Sequence, residues 1–553
     1  ILESSQILIG LAIQLLLGIA ICKSFLDDLQ LSPTLLVSAG FLLGAIPISL
    51  FGFVESLGIR LVLVITALLI ICFRYQSHQT LFTQTYSESW SSKIDLERLA
   101  TAIVILNLVI SRFETSKIAL PVSIVSITLV IVPRRKLNCF VVTYAFILFL
   151  TVIARTLFVN RSNLFLDFRI NQDRLLEQAW GNSIISNVSL SDPFMHGQSL
   201  QYHFLAFVYD ASFTRLWLIN PFSFSPAVFA CCLLAIVFLF TNSPFLSIAQ
   251  TSSWWRTYVV VVLCGSWPFW ESFALDDNSP GQLLSLCFAF LVLLLIPRNT
   301  VGVSIFLIPV LITITFLTKS PTGFFIFLVF FLYTFIRIAI LNQVLIQRNN
   351  AYFWNEFGIP LCGLLFSGIA IVTSYTLVFG TPHSGGSASS VRGFGLTLPK
   401  IYWGVNWDSQ PMLAVGIMFA FAFFPLLSLL FLNSIPADKS ILSGELSLRV
   451  AVTIAIFLNI LMALFLRTKF NLNHYFASTG ALFGGLTTFG LIKLPQRVIG
   501  FSLQFMLTVL LISAMFLDLK FDAYAGVVTS KIPIVLVCFV LIYLISCKFV
   551  FRL

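Results

Sequence analysis

Apolar runs long enough to cross a bilayer recur along the chain, separated by short polar or Gly/Pro-bearing breaks. Runs near residues 6–22, 34–52, 59–73, 99–112, 118–133 and 138–156 predict a first set of helical spans. A polar stretch, 157–200, follows. Further runs lie near 224–241, 257–270, 281–297, 301–317, 321–341, 357–379, 411–432, 448–466, 475–492, 498–517 and 532–550. The segment 201–219 is apolar but interrupted by Asp210 and Arg215, which suits a re-entrant or interfacial helix better than a span. The runs lack the alternation of polar and apolar residues that a membrane β-barrel strand requires. The pattern predicts an all-α polytopic membrane protein with roughly 15–17 transmembrane helices. Its extracytoplasmic loops are expected to carry a short amphipathic helix. No sequence repeat supports an inverted-repeat transporter.

Composition sharpens this reading. Of 553 residues, 58% are hydrophobic and 10% charged, against about 25% charged in an ordinary soluble domain. One water-soluble core cannot hide that much apolar surface. A soluble enzyme, a disordered chain, a coiled coil and a secreted disulfide scaffold are excluded. Residues 7–21 have a signal-like apolar core, but the many later runs make them a first span. The net charge of +10 is scattered at run ends, with no aromatic-rich basic patch, so nucleic acid is not an expected partner. The ten cysteines fall in or at the ends of apolar runs without a CxxC pair, and are read as small buried hydrophobes.

Charge also orients the chain. Pro133-Arg134-Arg135-Lys136 is the densest basic cluster, and the positive-inside rule assigns it to the cytoplasm. Alternation from there puts the loops near 157–200, 271–280, 318–320, 380–410, 467–474 and 518–531 outside. Basic residues alone barely separate the two sides; the shortage of acids on the inner side does more. Four of the five histidines, His196, His203, His383 and His474, then share the outer side. The chain divides into an N-terminal transmembrane module (1–156), an extracytoplasmic loop with the interrupted helix (157–223), and a C-terminal transmembrane module (224–553) carrying outer loop 380–410. The expected location is a bacterial cytoplasmic (inner) membrane with the active face outward.

The richest polar segment runs from Asp167 through Asp173-Arg174 and Glu177 to Trp180. It continues through Ser191-Asp192-Pro193-Phe194 and His196-Gly197 to Tyr202-His203. Asp173, Glu177 and Trp180 recur at helical spacing and share a face. Asp192-Pro193 marks a turn. A solvated loop with a surface helix would explain these features, yet a loop this long between spans usually has a role. The stretch 167–206 resembles the GT-C-type glycosyltransferases: an acid on a short helix in a large outer loop, a turn, then a Pro- and Gly-containing stretch into Tyr-His. That group includes protein mannosyltransferases, arabinofuranosyltransferases and aminoarabinose transferases. Weaker echoes are 272–281, Thr318-Lys319-Ser320-Pro321 and 467–476. Two features differ from the group. About six spans precede the acidic loop here, and Asp173 is followed by Arg174, not by a second acid.

The resemblance implies transfer of a sugar from a polyprenyl-phosphate carrier to an extracytoplasmic glycan, lipid or protein acceptor. It implies Asp173 as the base, with Asp167 in reserve, and Tyr202 and His203 beside the substrate. A carboxylate within hydrogen-bond reach can take the proton of an acceptor hydroxyl as it attacks the anomeric carbon. Fixed cations stabilise the departing phosphate. Lys319, between two apolar runs, is either a lipid-phosphate contact or an anchor that snorkels to the interface. Arg467, Lys469 and His474, in a short turn with Asn471 and Asn473, form either a phosphate or sugar cradle or ordinary span-end anchors. Arg392 lies in the Gly- and Ser-bearing loop 380–410, whose Tyr402, Trp403 and Trp407 suit sugar stacking and an interfacial belt alike.

No cofactor is assigned. A divalent metal remains open, as in some GT-C enzymes, but no HExxH-type spacing is present and Glu271 with Asp276-Asp277 is the only compact acidic cluster. Asn160-Arg161-Ser162 and Asn187-Val188-Ser189 are sequons on the outer side. Three other readings stand beside the transferase. A transporter or flippase would need ionisable residues in mid-span, and these are nearly absent: charges cluster at run ends, and the main exceptions, Asp210 and Glu356, both lie near edges. A non-catalytic subunit of a membrane assembly, with partner subunits on its Phe-rich faces, is another. An O-antigen-type ligase or polymerase is a near neighbour, kept open by outer Arg392, Arg467 and His474.

Overall fold

The computed structural model describes residues 2–26, 31, 33–54, 56, 58–60, 62, 64–66, 172–187, 204–219, 221–241, 280–297, 303–345, 358–379, 391–394, 444–468 and 474–491. Helices dominate them: α1 (Leu2–Leu26), α2 (Pro33–Phe51), α3 (Gln172–Asn187), α4 (Leu205–Trp217), α5 (Pro221–Thr241) and α6 (Pro280–Leu295). A π-helical turn (Val303–Leu307) leads into α7 (Ile308–Thr318), then α8 (Ser320–Leu345) and α9 (Ile359–Phe379). Strand β1 (Val391–Phe394), α10 (Gly444–Phe465), β2 (Leu466–Thr468) and α11 (His474–Leu491) complete the described elements. Nine apolar runs therefore meet helices at their expected positions. The runs at 99–112, 118–133, 138–156, 257–270, 411–432, 498–517 and 532–550 lie outside the described residues, as does most of 59–73.

By length and composition, four stretches suffice to cross a membrane: Ser5–Lys23, Ser320–Ala339, Ile359–Thr376 and Gly444–Ala463. Exposed large apolar side chains line several of these helices, among them Leu8, Ile9, Phe366, Ile369 and Val372. Such contiguous exposure is unusual for a surface that faces water.

The described elements fall into two compact units, divided within α5 after Phe238 and within α6 after Leu284. In the first unit, α1 and α2 meet through glycines. A Cβ on Gly18 would fall on the Gly40 carbonyl oxygen, and one on Gly44 would fall on the Gln14 carbonyl oxygen. Small residues four apart let two backbones touch, the way helices associate without water to drive them together. Gln14 extends the contact: its side-chain amide donates to the Phe41 carbonyl at 2.8 Å, and it accepts from the Tyr209 hydroxyl at 2.9 Å.

Helix α4 is enclosed on nearly every side; Ala206 through Thr214 and Leu216 are all buried. Its 13 residues extend only about 20 Å, short of the roughly 30 Å of a hydrocarbon core. Phe213 stacks on Phe224 of α5 with ring centroids 3.9 Å apart, and Ser212 donates to the Ser49 carbonyl of α2 at 3.1 Å. Removing the Tyr209 hydroxyl as Tyr209→Phe strands the Gln14 oxygen. We expect this to destabilise the protein by about 1–3 kcal/mol, read as a lower melting temperature of the solubilised chain. An unchanged melting curve would show that this tie contributes nothing.

The second unit is built around aromatic packing. Phe325 of α8 stacks on Phe483 of α11 at 4.3 Å, and Phe483 also lies 5.3 Å from Phe290 of α6. Phe240 meets Phe290 edge-on at 5.6 Å. Strands β1 and β2 pair antiparallel, with Val391 opposite Thr468, Gly393 opposite Arg467 and Phe394 opposite Leu466. An irregularity in the register falls at Arg392, between the first two pairs. Among the described residues the cysteines are free thiols, with Cys22, Cys232 and Cys287 buried.

Candidate functional site

Sequence alone marked Lys319 as a lone charge between apolar runs, and the backbone gives that break a definite form. Helix α7 ends at Thr318, α8 begins at Ser320, and Lys319 between them is extended (φ −156°, ψ 104°). Pro321 favours this break, because it has no N–H to continue a helix across the joint. The Lys319 N–H donates to the Thr315 carbonyl at 2.8 Å, and the Lys319 carbonyl accepts from the Gly323 N–H at 3.0 Å. One residue thus closes the first helix and opens the second. Gly323 has to be glycine: a Cβ there would collide with the backbone of Phe316. The Lys319 side chain is 2% exposed. It is enclosed by protein rather than laid along the surface as an anchor.

Two contacts of the second unit involve other segments that the sequence singled out. Phe324, in the second turn of α8, lies 6.1 Å from Phe476, in the first turn of α11. His474 is the first residue of α11. Arg467 sits in β2, and the β1–β2 pairing brings the backbone of Arg392 beside it. The Phe324–Phe476 contact thus links the segment of Lys319 to that of His474, and strand pairing links the segment of Arg392 to that of Arg467. The β1–β2 link was not legible in the sequence, since the two strands are 4 and 3 residues long and show no alternation.

Asp173 is the second residue of α3, in the first unit. An acid in a first turn also complements the positive end of its own helix. Spacing places Asp173, Glu177, Trp180 and Ile184 along one stripe of α3. Further along this stripe Ile184 is buried and Trp180 packs on Phe207 of α4 at 5.7 Å. Gly181 lies so close to the Phe207 carbonyl that a Cβ would overlap it. Asp167, Tyr202, His203 and Lys469 lie outside the described residues, as do Glu271, Asp276, Asp277 and Glu356. Among the described residues, no group of three His, Cys, Asp or Glu side chains is placed to hold a metal.

One polar cluster in the first unit went unrecognised as a cluster in the sequence. Asp210, 1% exposed in the middle of α4, accepts a hydrogen bond from the side-chain amide of Gln178 on α3. Thr214 donates to the Asp210 carbonyl at 2.9 Å, and the neighbouring Tyr209 reaches Gln14 of α1. Asp210 was visible as a polar break in an apolar run, but its partner comes from a separate segment. A buried carboxylate requires such partners, because an uncompensated charge in a low-dielectric interior is strongly disfavoured. No family model and no curated protein sequence matches this chain.

Proposed function

We propose that the chain is a polytopic helical membrane protein of roughly 15–17 spans that transfers a sugar from a polyprenyl-phosphate carrier to an outward-facing acceptor. The observation that supports this reading is a pair of links within the second unit: the Phe324–Phe476 contact between the Lys319 and His474 segments, and the strand pairing that sets Arg392 beside Arg467. Three cations and a histidine on these segments are residue types that suit a leaving phosphate, whose negative charge grows as the glycosidic bond breaks. Asp173 is the base in this reading. It takes the proton of the acceptor hydroxyl while that oxygen bonds the anomeric carbon and the lipid phosphate departs with the electron pair. The acceptor is a glycan, lipid or protein, and the membrane is a bacterial inner membrane.

The test is transfer by the purified, lipid-reconstituted protein. A panel of polyprenyl-phosphate sugars, each with a mixed acceptor extract, is expected to yield a labelled product. Absence of product with every donor overturns the proposal. A transporter is the second reading, and the buried Asp210 with its Gln178 partner favours it, because an ionisable group inside an apolar helix is the usual mark of an ion path. Proton-coupled flux in proteoliposomes that Asp210→Asn abolishes would decide for that reading.

A further inference from the structure

Six helical threonines of the second unit share one habit. Thr313, Thr315, Thr318, Thr334, Thr453 and Thr487 each donate a side-chain hydrogen bond to the carbonyl four residues back. Thr322 does not. Its residue is 0% exposed, and its Oγ1 has no hydrogen-bond partner among the described residues. A buried hydroxyl left without a partner is destabilising, and native structures rarely keep one without a reason. Thr322 is the third residue of α8, so this hydroxyl sits within the first turn of a 26-residue helix. The backbone amides of that turn have no acceptors inside the helix. Pro321 contributes none, which leaves Ser320 and Thr322.

The neighbouring end of α7 is partly satisfied. The carbonyls of Ile314, Thr315 and Phe316 accept from Thr318 Oγ1, the Lys319 N–H and Ser320 Oγ respectively. Two of the last four carbonyls of α7, those of Thr315 and Phe316, are thereby occupied at the bend. Lys319, buried at the same bend, adds positive charge. A buried hydroxyl with no partner among the described residues, the positive end of a helix and a cation in one place are what a phosphate group requires.

We propose that the α7–α8 bend is a phosphate seat, in which the Thr322 hydroxyl, the first-turn amides of α8 and Lys319 hold the phosphate of a polyprenyl-phosphate carrier. This rests on the transferase reading for the identity of the ligand, and adds Thr322 and a specific turn to it.

The experiment measures binding without transfer. Native mass spectrometry of the full chain released from micelles is run with polyprenyl monophosphate, with the uncharged polyprenol, and with inorganic phosphate. The monophosphate is expected to bind and the alcohol to be excluded. Thr322→Val keeps the shape, removes the hydroxyl and is expected to weaken monophosphate binding about tenfold, with no fall in melting temperature. Thr322→Ser is expected to restore it, and Lys319→Gln to weaken it further. Inorganic phosphate bound with the same Thr322 dependence, while the lipid is not, upholds the seat and assigns it to a soluble phosphate. Equal binding by wild type and Thr322→Val, or equal binding of alcohol and monophosphate, overturns it, whatever Lys319→Gln does to folding. Thr322-dependent binding in a protein that transfers no sugar sinks the transferase reading alone. Sugar transfer that Thr322→Val leaves untouched sinks the seat alone.

Discussion

Asparagine in place of Asp173 is expected to slow sugar transfer by roughly 10²–10⁴-fold, the range that a positioned general base supplies. The substitution preserves size and a hydrogen-bonding oxygen but removes the ability to accept the acceptor's proton. The helix should survive it. Helix α3 is fastened further along by buried Ile184 and Ile185, by Trp180 against Phe207, and by the glycine contact at Gly181. A melting temperature close to that of wild type, together with the loss of rate, separates chemistry from folding. The measurement is the initial rate in proteoliposomes under saturating donor, with wild type and Asp173→Asn at matched protein density. Equal rates would remove Asp173 from the reaction and pass the test to Asp167, the other acid that the resemblance implies.

The second large effect lies far from any chemistry. Gly18→Leu is expected to destabilise the first unit by about 3 kcal/mol, the upper part of the usual range for overpacking. The reason is the kind of atom it meets. A new Cβ at this position would strike the Gly40 carbonyl, which is backbone and cannot rotate aside as a side chain would. Relief would need α1 and α2 to separate, and separation would break the Gln14 amide's bond to the Phe41 carbonyl. Leu16→Ala provides the contrast. Leu16 is 48% exposed on the same helix, so its removal should change stability by only about 0.5 kcal/mol. Thermal unfolding of the two solubilised variants checks this. If both melt with wild type, the close approach of the two helices is not what holds them.

These cases also show what can be read from a sequence like this one. An apolar run carries its own evidence for a helix, because its length and composition are local. The runs over 321–341, 357–379 and 448–466 therefore met helices within a few residues of their expected ends. Lys319 was legible as a break for the same reason: a charge and a following proline interrupt the pattern in place. The contacts that give those helices partners were not legible. Gly18, Gly40 and Gly44 look like any small residues in an apolar stretch until two backbones are laid together. Tyr209 and Gln14 are 195 residues apart, and nothing local to either announces the other. Of the candidate site, the residue types could be read, while the pairing that brings Arg392 beside Arg467 could not. Two strands this short owe their form to the elements that flank them, and propensity hardly contributes.

The bend at Lys319 has a mechanical consequence. Two helices joined by one extended residue have the form of a hinge, but here the glycine of one presses directly on the main chain of the other, Lys319 is hydrogen-bonded to the helix on each side, and the Ser320 hydroxyl donates across the joint to the Phe316 carbonyl at 3.2 Å. The pair forms a rigid elbow. A tilt of α8 during any working cycle carries α7 with it as a single lever, and whatever flexing the protein needs must be found in other joints.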